Sequence, residues 1–347
     1  MSRAYLDWNA TAPLRLEARA AMVSAMDVLG NPSSVHAEGR AARAIIERAR
    51  AQIAEAFGAA SADIVFTSGA TEAAMLGLQG RDLHGAGIEH DCVQAWIETD
   101  LECDRNGVIT LDSPETATLQ GANGETGVVQ DLPEGLALSD CVQLFGKLPF
   151  GFDWSGIRAA ILSAHKIGGP AGVGALVLRP GQEITARLKG GGQEMGRRAG
   201  TENLVGIAGF GAAAEAAARD LKDGLPERLA ELRDALEERL LNEANDLIVF
   251  GKGARRLPNT SAFAVPGWKG ETQVMQMDLA GYAVSAGSAC SSGKVRPSSV
   301  LRAMGHDDIT AASAIRVSIG ASTTRDDLAG FADAWRTQYK RIKAKAA

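Results

Sequence analysis

Short apolar runs and helix-spaced segments alternate along most of this chain, and that alternation limits its possible folds more than any other feature. DIVFT at 63–67 is a short β-rich run, and AAILSA at 159–164 and GVGALVL at 172–178 are apolar runs bounded by glycine and proline. Such runs fit strands buried on both faces. Between them, residues 36–57 carry apolar side chains at helical spacing with charges in the gaps, residues 203–221 form a small-residue helical pattern, and residues 226–244 a long charged amphipathic one. Helices alternating with buried strands predict an α/β fold with a mainly parallel sheet. After residue 244 the pattern changes to TSAFAV (260–265), YAVSAG (282–287) and AIRVSIG (314–320), closed by a helix from residue 326. This predicts a smaller α+β unit.

Composition narrows the function. The chain has 347 residues and a net charge of −6, so bulk electrostatics suggest no nucleic-acid or membrane-surface partner. The N-terminal stretch lacks the apolar run of a signal peptide, and no stretch is long and apolar enough to span a bilayer. A cytoplasmic location is expected. Cys92, Cys103, Cys141 and Cys290 form no CxxC pair and do not cluster with the five histidines, so no zinc site and no disulfide framework is expected. The first three read as small buried hydrophobes. Cys290 differs, because SAGSACSSGK (285–294) surrounds it with small residues that read as a loop. A thiol there can reach a substrate, react and withdraw.

Other segments could carry chemistry. TSGATE (67–72) is a strand end, a glycine turn and a helix start, which favours a phosphate; a helix start capped by Ser68 or Thr71 reads equally well. Lys166 follows an apolar strand and precedes a glycine-rich connection. Crowding there would lower its pKa, as a Schiff-base lysine needs. Asp140, with Gln143 nearby, could hold a protonated pyridine nitrogen, or could be a turn residue. Arg316 inside an apolar strand needs a partner, either a substrate carboxylate or an internal acid.

Taken together and in order, these segments resemble the cysteine desulfurases, the NifS/IscS-like group of fold-type I pyridoxal-phosphate enzymes in the class V aminotransferase family. The matching stretches are YLDWNATAP (5–13), GNPSSVHAEGR (30–40), FTSGATE (66–72), EH (89–90), NGETGVVQ (123–130), DCVQLFGKLP (140–149), SAHKIGGPAGVGAL (163–176), GGGQEMGRRAGTEN (190–203), SAGSACSSG (285–293) and AIRVSIG (314–320). The resemblance implies a large domain (14–245) with a mainly parallel seven-stranded sheet and a small α+β domain (1–13 and 246–347). It implies pyridoxal 5'-phosphate as cofactor and L-cysteine as substrate. Lys166 would form the Schiff base and later carry protons. Asp140 would pair with the ring nitrogen, Gln143 would bond the phenolic oxygen, and His90 would stack on the ring and accept a thiol proton. Ala70, Thr71, Ser163 and His165 would hold the phosphate. Thr201 would reach the phosphate of the other subunit, which implies a homodimer. Arg316 would clamp the substrate carboxylate, with Asn31 and Asn123 nearby, and Asn123 would also face the cofactor. Cys290 would be the nucleophile that takes the sulfur as a persulfide. An Fe–S scaffold or sulfur carrier would receive it.

The sequence departs from the family pattern in places. Gly124 stands where a second asparagine is usual, Ala73, Ala74 and Met75 replace polar residues, Cys141 and Val142 replace a small, polar pair, and the 77–122 region is short. A selenocysteine lyase or related class V enzyme, and a degenerate scaffold that binds a sulfur-transfer partner, are the alternatives.

Overall fold

The computed structural model describes residues 3–287 and 297–346. Among these the strands, in chain order, are β1 (Ala4–Tyr5), β2 (Asp63–Thr67), β3 (His84–Ala86), β4 (Glu98–Leu101), β5 (Ser139–Asp140), β6 (Ala159–Ser163), β7 (Gly174–Leu178), β8 (Ile248–Val249), β9 (Thr260–Ala264), β10 (Tyr282–Ala283), β11 (Ser285–Ala286) and β12 (Ala314–Ser318).

The large sheet runs β2-β7-β6-β5, with β7 antiparallel to both neighbours and β5 parallel to β6. It continues across parallel bridges, Leu138 to Thr118 and Ala117 to His84, into the parallel pair β3–β4. Counting the 117–118 segment, seven extended segments lie side by side. Side chains along its strands alternate strictly. Ile64, Phe66, Ala160, Leu162, Ala175 and Val177 enter one core. Val65, Ala159, Ile161, Leu176 and Leu178 enter another on the opposite face. Both faces are buried, so the strands read as continuous apolar runs. Ala73 and Ala74 are fully buried in that second core, which is why the helix Ala70–Leu78 is apolar there.

The helix Ala37–Phe57 starts at His36, whose ring accepts the Gly39 N–H, and ends at Gly58 with φ 62°. It packs with Leu16–Met26 against Leu204–Lys222. The small residues of that last helix allow close approach: a Cβ on Gly211 would lie 2.6 Å from Ala49 Cα. A third core joins β9 and β12 to the helices Leu225–Glu243 and Arg325–Ala346 through Leu232, Leu236, Leu240, Phe263, Phe331 and Trp335. The small sheet β11-β12-β9-β8 is antiparallel throughout.

The N-terminal segment stitches the two parts together. β1 pairs with β10, Asp7 bridges to Ser318, and the Ala12 N–H donates to the His165 carbonyl. Among the described residues no helix is long and apolar enough to cross a membrane.

Candidate active site

Strand register gathers the predicted residues at one edge of the large sheet. Thr67 pairs with Gly174, and Gly174 with Ser163, so the carboxyl ends of β2 and β6 lie together. β5 is parallel to β6, so Asp140 ends at the same edge. His90 follows β3 and Asn123 follows the 117–118 segment, which run the same way. Open α/β sheets bind ligands at this edge.

Lys166 ends a short turn after β6, and its Nζ donates to the carbonyls of Asn9 and Ala10, both at 2.8 Å. Asp140 is buried and accepts the Val142 N–H at 2.9 Å. Burial raises its pKa, opposed by that N–H and by His90 and Lys166. Gln143 Nε2 donates to the Asn9 carbonyl at 3.1 Å. His165 Nδ1 lies 3.2 Å from Thr11 Oγ1. Burial, with Lys166 and Lys147 nearby, pushes its pKa down to about 4, so it is a neutral imidazole.

His90 caps the turn Asp91–Gln94. Its Nδ1 accepts the Cys92 N–H at 3.1 Å and lies 3.0 Å from Cys92 Sγ. With Nδ1 an acceptor, the neutral ring carries its proton on Nε2. Glu89 beside it is buried. One carboxyl oxygen accepts the Gln120 N–H at 2.7 Å and the other has no partner. Burial, then Asp140, pushes its pKa up to about 8.

The helix Ala70–Leu78 starts at Gly69 with no side-chain cap, and Ser68 and Thr71 are exposed. The capped-helix reading therefore does not hold. A Cβ on Gly174 would lie 2.7 Å from Gly69 carbonyl carbon, so only glycine lets β7 approach this turn. Glu72 in the first turn pairs with Arg198 at 2.8 Å, which ties the segment before Thr201 to the turn. Thr201 itself is exposed.

Arg316 does have an internal partner. One end donates to Asp7 at 2.8 Å and to the Gly124 carbonyl at 2.9 Å, while its buried Nε has no partner. Glu125 lies near Arg316, with one unpartnered oxygen facing Gly287. Its burial pushes its pKa up to about 7, opposed by Ser298 and Arg316.

Two predicted residues are engaged elsewhere. Asn123 is buried, its oxygen accepts from Glu125, Thr126 and the Thr126 hydroxyl, and its amide donates to the Ile88 carbonyl. Asn31 accepts the Ser33 N–H within its own turn, and Pro32 and Ser33 of that turn line a cleft with Gln193, Met195 and Glu202. A Cβ on Gly124 would lie 3.1 Å from Gln143 Nε2, so a longer side chain there would meet Gln143. Cys290 lies outside the described residues. Cys92 and Cys141 are buried as expected, and Cys103 is half-buried with its thiol on the Ala303 carbonyl. Burial pushes the Cys141 thiol up to about 12, so it is inert.

Sequence reading gave no role to Asn9, Asp7, Glu89, Glu125 or Lys147. All five sit within matching stretches, and an unassigned polar residue in such a stretch is the signal that could have found them.

The family model for aminotransferase class-V matches residues 4–331. This chain belongs to that family, within its NifS/IscS-like cysteine desulfurases. It is 37% identical to the cysteine desulfurase IscS of Dictyoglomus turgidum, covering 93% of this chain and 91% of that one. It is 38% identical to a cysteine desulfurase of Cereibacter sphaeroides, covering 94% and 93%. A NifS-like protein from Rickettsia africae superposes with a TM-score of 0.88 at 31% identity, covering 97% and 99%.

These enzymes depend on pyridoxal phosphate, and the donor set fits it. Lys166 supplies a primary amine, Asp140 a buried carboxylate for a cationic ring nitrogen, Gln143 an amide N–H, and the uncapped helix start a set of N–H groups for a phosphate.

Proposed function

We propose that this desulfurase uses Lys166, Asp140, Gln143, His90, Arg316 and Cys290 to remove sulfur from L-cysteine, leaving L-alanine and a persulfide on Cys290. The observation that carries these roles is the convergence of Lys166 and Gln143 on one carbonyl, that of Asn9, at the sheet edge where Asp140 ends. Bound pyridoxal phosphate supplies an aldehyde that condenses with amines and a ring that draws electrons from the substrate's α-carbon.

The protein's part is binding, orientation and proton transfer. Asp140 holds the ring nitrogen protonated, and Gln143 donates to the ring oxygen. The helix start at Ala70 and Thr71, with Ser163 and His165, holds the phosphate. His165 serves there as a neutral hydrogen-bonding group. Lys166 Nζ takes the α-proton and returns it. Arg316 is enclosed, already oriented by Asp7 and Gly124, with Nε left for a carboxylate. Asn123 acts by fixing the loop that carries His90, through Ile88. His90 holds its proton at Nε2, so it stands in the site as a proton donor, where the sequence suggests an acceptor of a thiol proton. In the sulfur step the Cys290 thiol gives up its proton and its sulfur attacks the substrate sulfur; the S–S bond forms as the C–S bond breaks, the electron pair of that bond stays on the substrate's β-carbon, and that carbon takes up a proton to become the methyl of alanine.

The same reading makes the protein a cytoplasmic homodimer in which Thr201 completes the partner's phosphate site. Exposed Leu16, Met26, Leu29 and Met195 support an interface. The likeness to IscS supports an Fe–S scaffold or sulfur carrier as acceptor. Borohydride reduction of the cofactor-loaded protein, followed by peptide mass mapping, tests the site. A pyridoxyl adduct on Lys166 is expected, and an adduct on Lys147 instead would overturn the assignment.

A further inference from the structure

Lys147 lies in the site without a role. It sits four residues past Gln143, in the turn after β5 where the Phe145 N–H returns to the Cys141 carbonyl. Its Nζ donates to Gln143 Oε1 and, at 2.7 Å, to Asn9 Oδ1. Among the described residues no carboxylate pairs with it. Its charged neighbours are Lys166 and Arg316, with His165 also close. An amine enclosed beside two cations is costly, so the position is a poor one for stability alone.

The two contacts fix orientation. An amine offers N–H groups, so both carboxamides must turn their oxygens toward Lys147. Either amide flipped would set N–H against N–H. Gln143 Nε2 is thereby turned away from Lys147, to the Asn9 carbonyl that also accepts Lys166. Asn9 Nδ2 is turned to the Gly124 carbonyl at 3.1 Å and Thr260 Oγ1 at 2.8 Å.

We propose that Lys147 is a positioning residue that locks the Gln143 carboxamide, so that only its N–H end can face the ring oxygen of bound pyridoxal phosphate. Unlocked, the amide can present its own oxygen to an anionic ring oxygen, and the two repel. Burial, with Lys166 and Arg316, holds the Lys147 amine well below its usual range. The proposal rests on the role given above to Gln143.

The test is a double-mutant cycle of Lys147→Met and Gln143→Ala. It is read by the affinity for pyridoxal phosphate and by the pH midpoint of the bound cofactor's absorbance. Each single variant should bind the cofactor about tenfold more weakly, the effect of one lost hydrogen bond. Each should raise the absorbance midpoint. The double variant should match Gln143→Ala alone. Additive losses would overturn the proposal, because Lys147 would then act independently of Gln143. A wild type with no pH-dependent absorbance band would instead remove the role of Lys166. If Lys147→Met does not fold, Gln143→Glu keeps the lysine contact while removing the N–H. It should bind as weakly as Gln143→Ala, and wild-type affinity in it would overturn the proposal.

Discussion

Glu89 is enclosed beside Asp140, with one carboxyl oxygen unpartnered and its pKa raised from 4.5 to about 8. Between those values the folded chain keeps a proton that the unfolded chain has lost. Stability therefore falls as pH rises through that window, by up to roughly 1.4 kcal/mol per unit. Glu89→Gln has no such titration. In thermal melts of the cofactor-free protein, the variant should gain several degrees on the wild type between pH 5 and pH 8; an unchanged difference would mean that Glu89 is ionised when folded. Arg316→Lys tests the proposed carboxylate contact. KM for L-cysteine should rise at least tenfold, with cofactor affinity changed far less. At this scale the sequence marked Lys166, Asp140, Gln143 and Arg316 as candidates, because each is a polar residue within or shortly after a strand. It did not expose the partnership of Arg316 with Asp7, 309 residues away in the chain. Nor did it show that Asn123 is committed to Ile88. Such pairings depend on where the folded chain returns.

Elements were more legible than contacts. The helical spacing over 36–57 became Ala37–Phe57, and that over 226–244 became Leu225–Glu243. The apolar run at 63–67 became β2. Two features escaped local pattern. β7 runs antiparallel within a mostly parallel sheet, because a short glycine-rich connection from Lys166 turns the chain straight back. The apolar face of Leu225–Glu243 packs on the third core, with Phe263 and Trp335, although periodicity alone shows only that such a face exists. Glycine in Leu204–Lys222 has its own consequence. Gly211→Ala would press a methyl into Ala49 and Gln52, costing about 1–3 kcal/mol against a gain in helix propensity of about 1 kcal/mol. A melting temperature lower by a few degrees with unchanged cofactor affinity is expected. An unchanged or higher melting temperature would show that the helices yield there without strain.

For the whole molecule, the proposed dimer, in which exposed Thr201 completes the partner's phosphate site, ties assembly to function. Sedimentation should give twice the 36.2 kDa chain mass. Met26→Asp with Leu29→Asp, on residues 63% and 81% exposed, should shift the protein toward monomer and weaken cofactor binding together. A monomeric wild type with full cofactor affinity would remove the partner's Thr201 from the site. The most direct test of the site as a whole is alanine formation from L-cysteine by the cofactor-loaded protein, measured beside Lys166→Ala and Cys290→Ser. The wild type should yield alanine and a persulfide on Cys290, with Lys166→Ala inactive and Cys290→Ser reduced at least a hundredfold. Undiminished alanine formation by Cys290→Ser, or none by the wild type, would contradict desulfuration through Cys290.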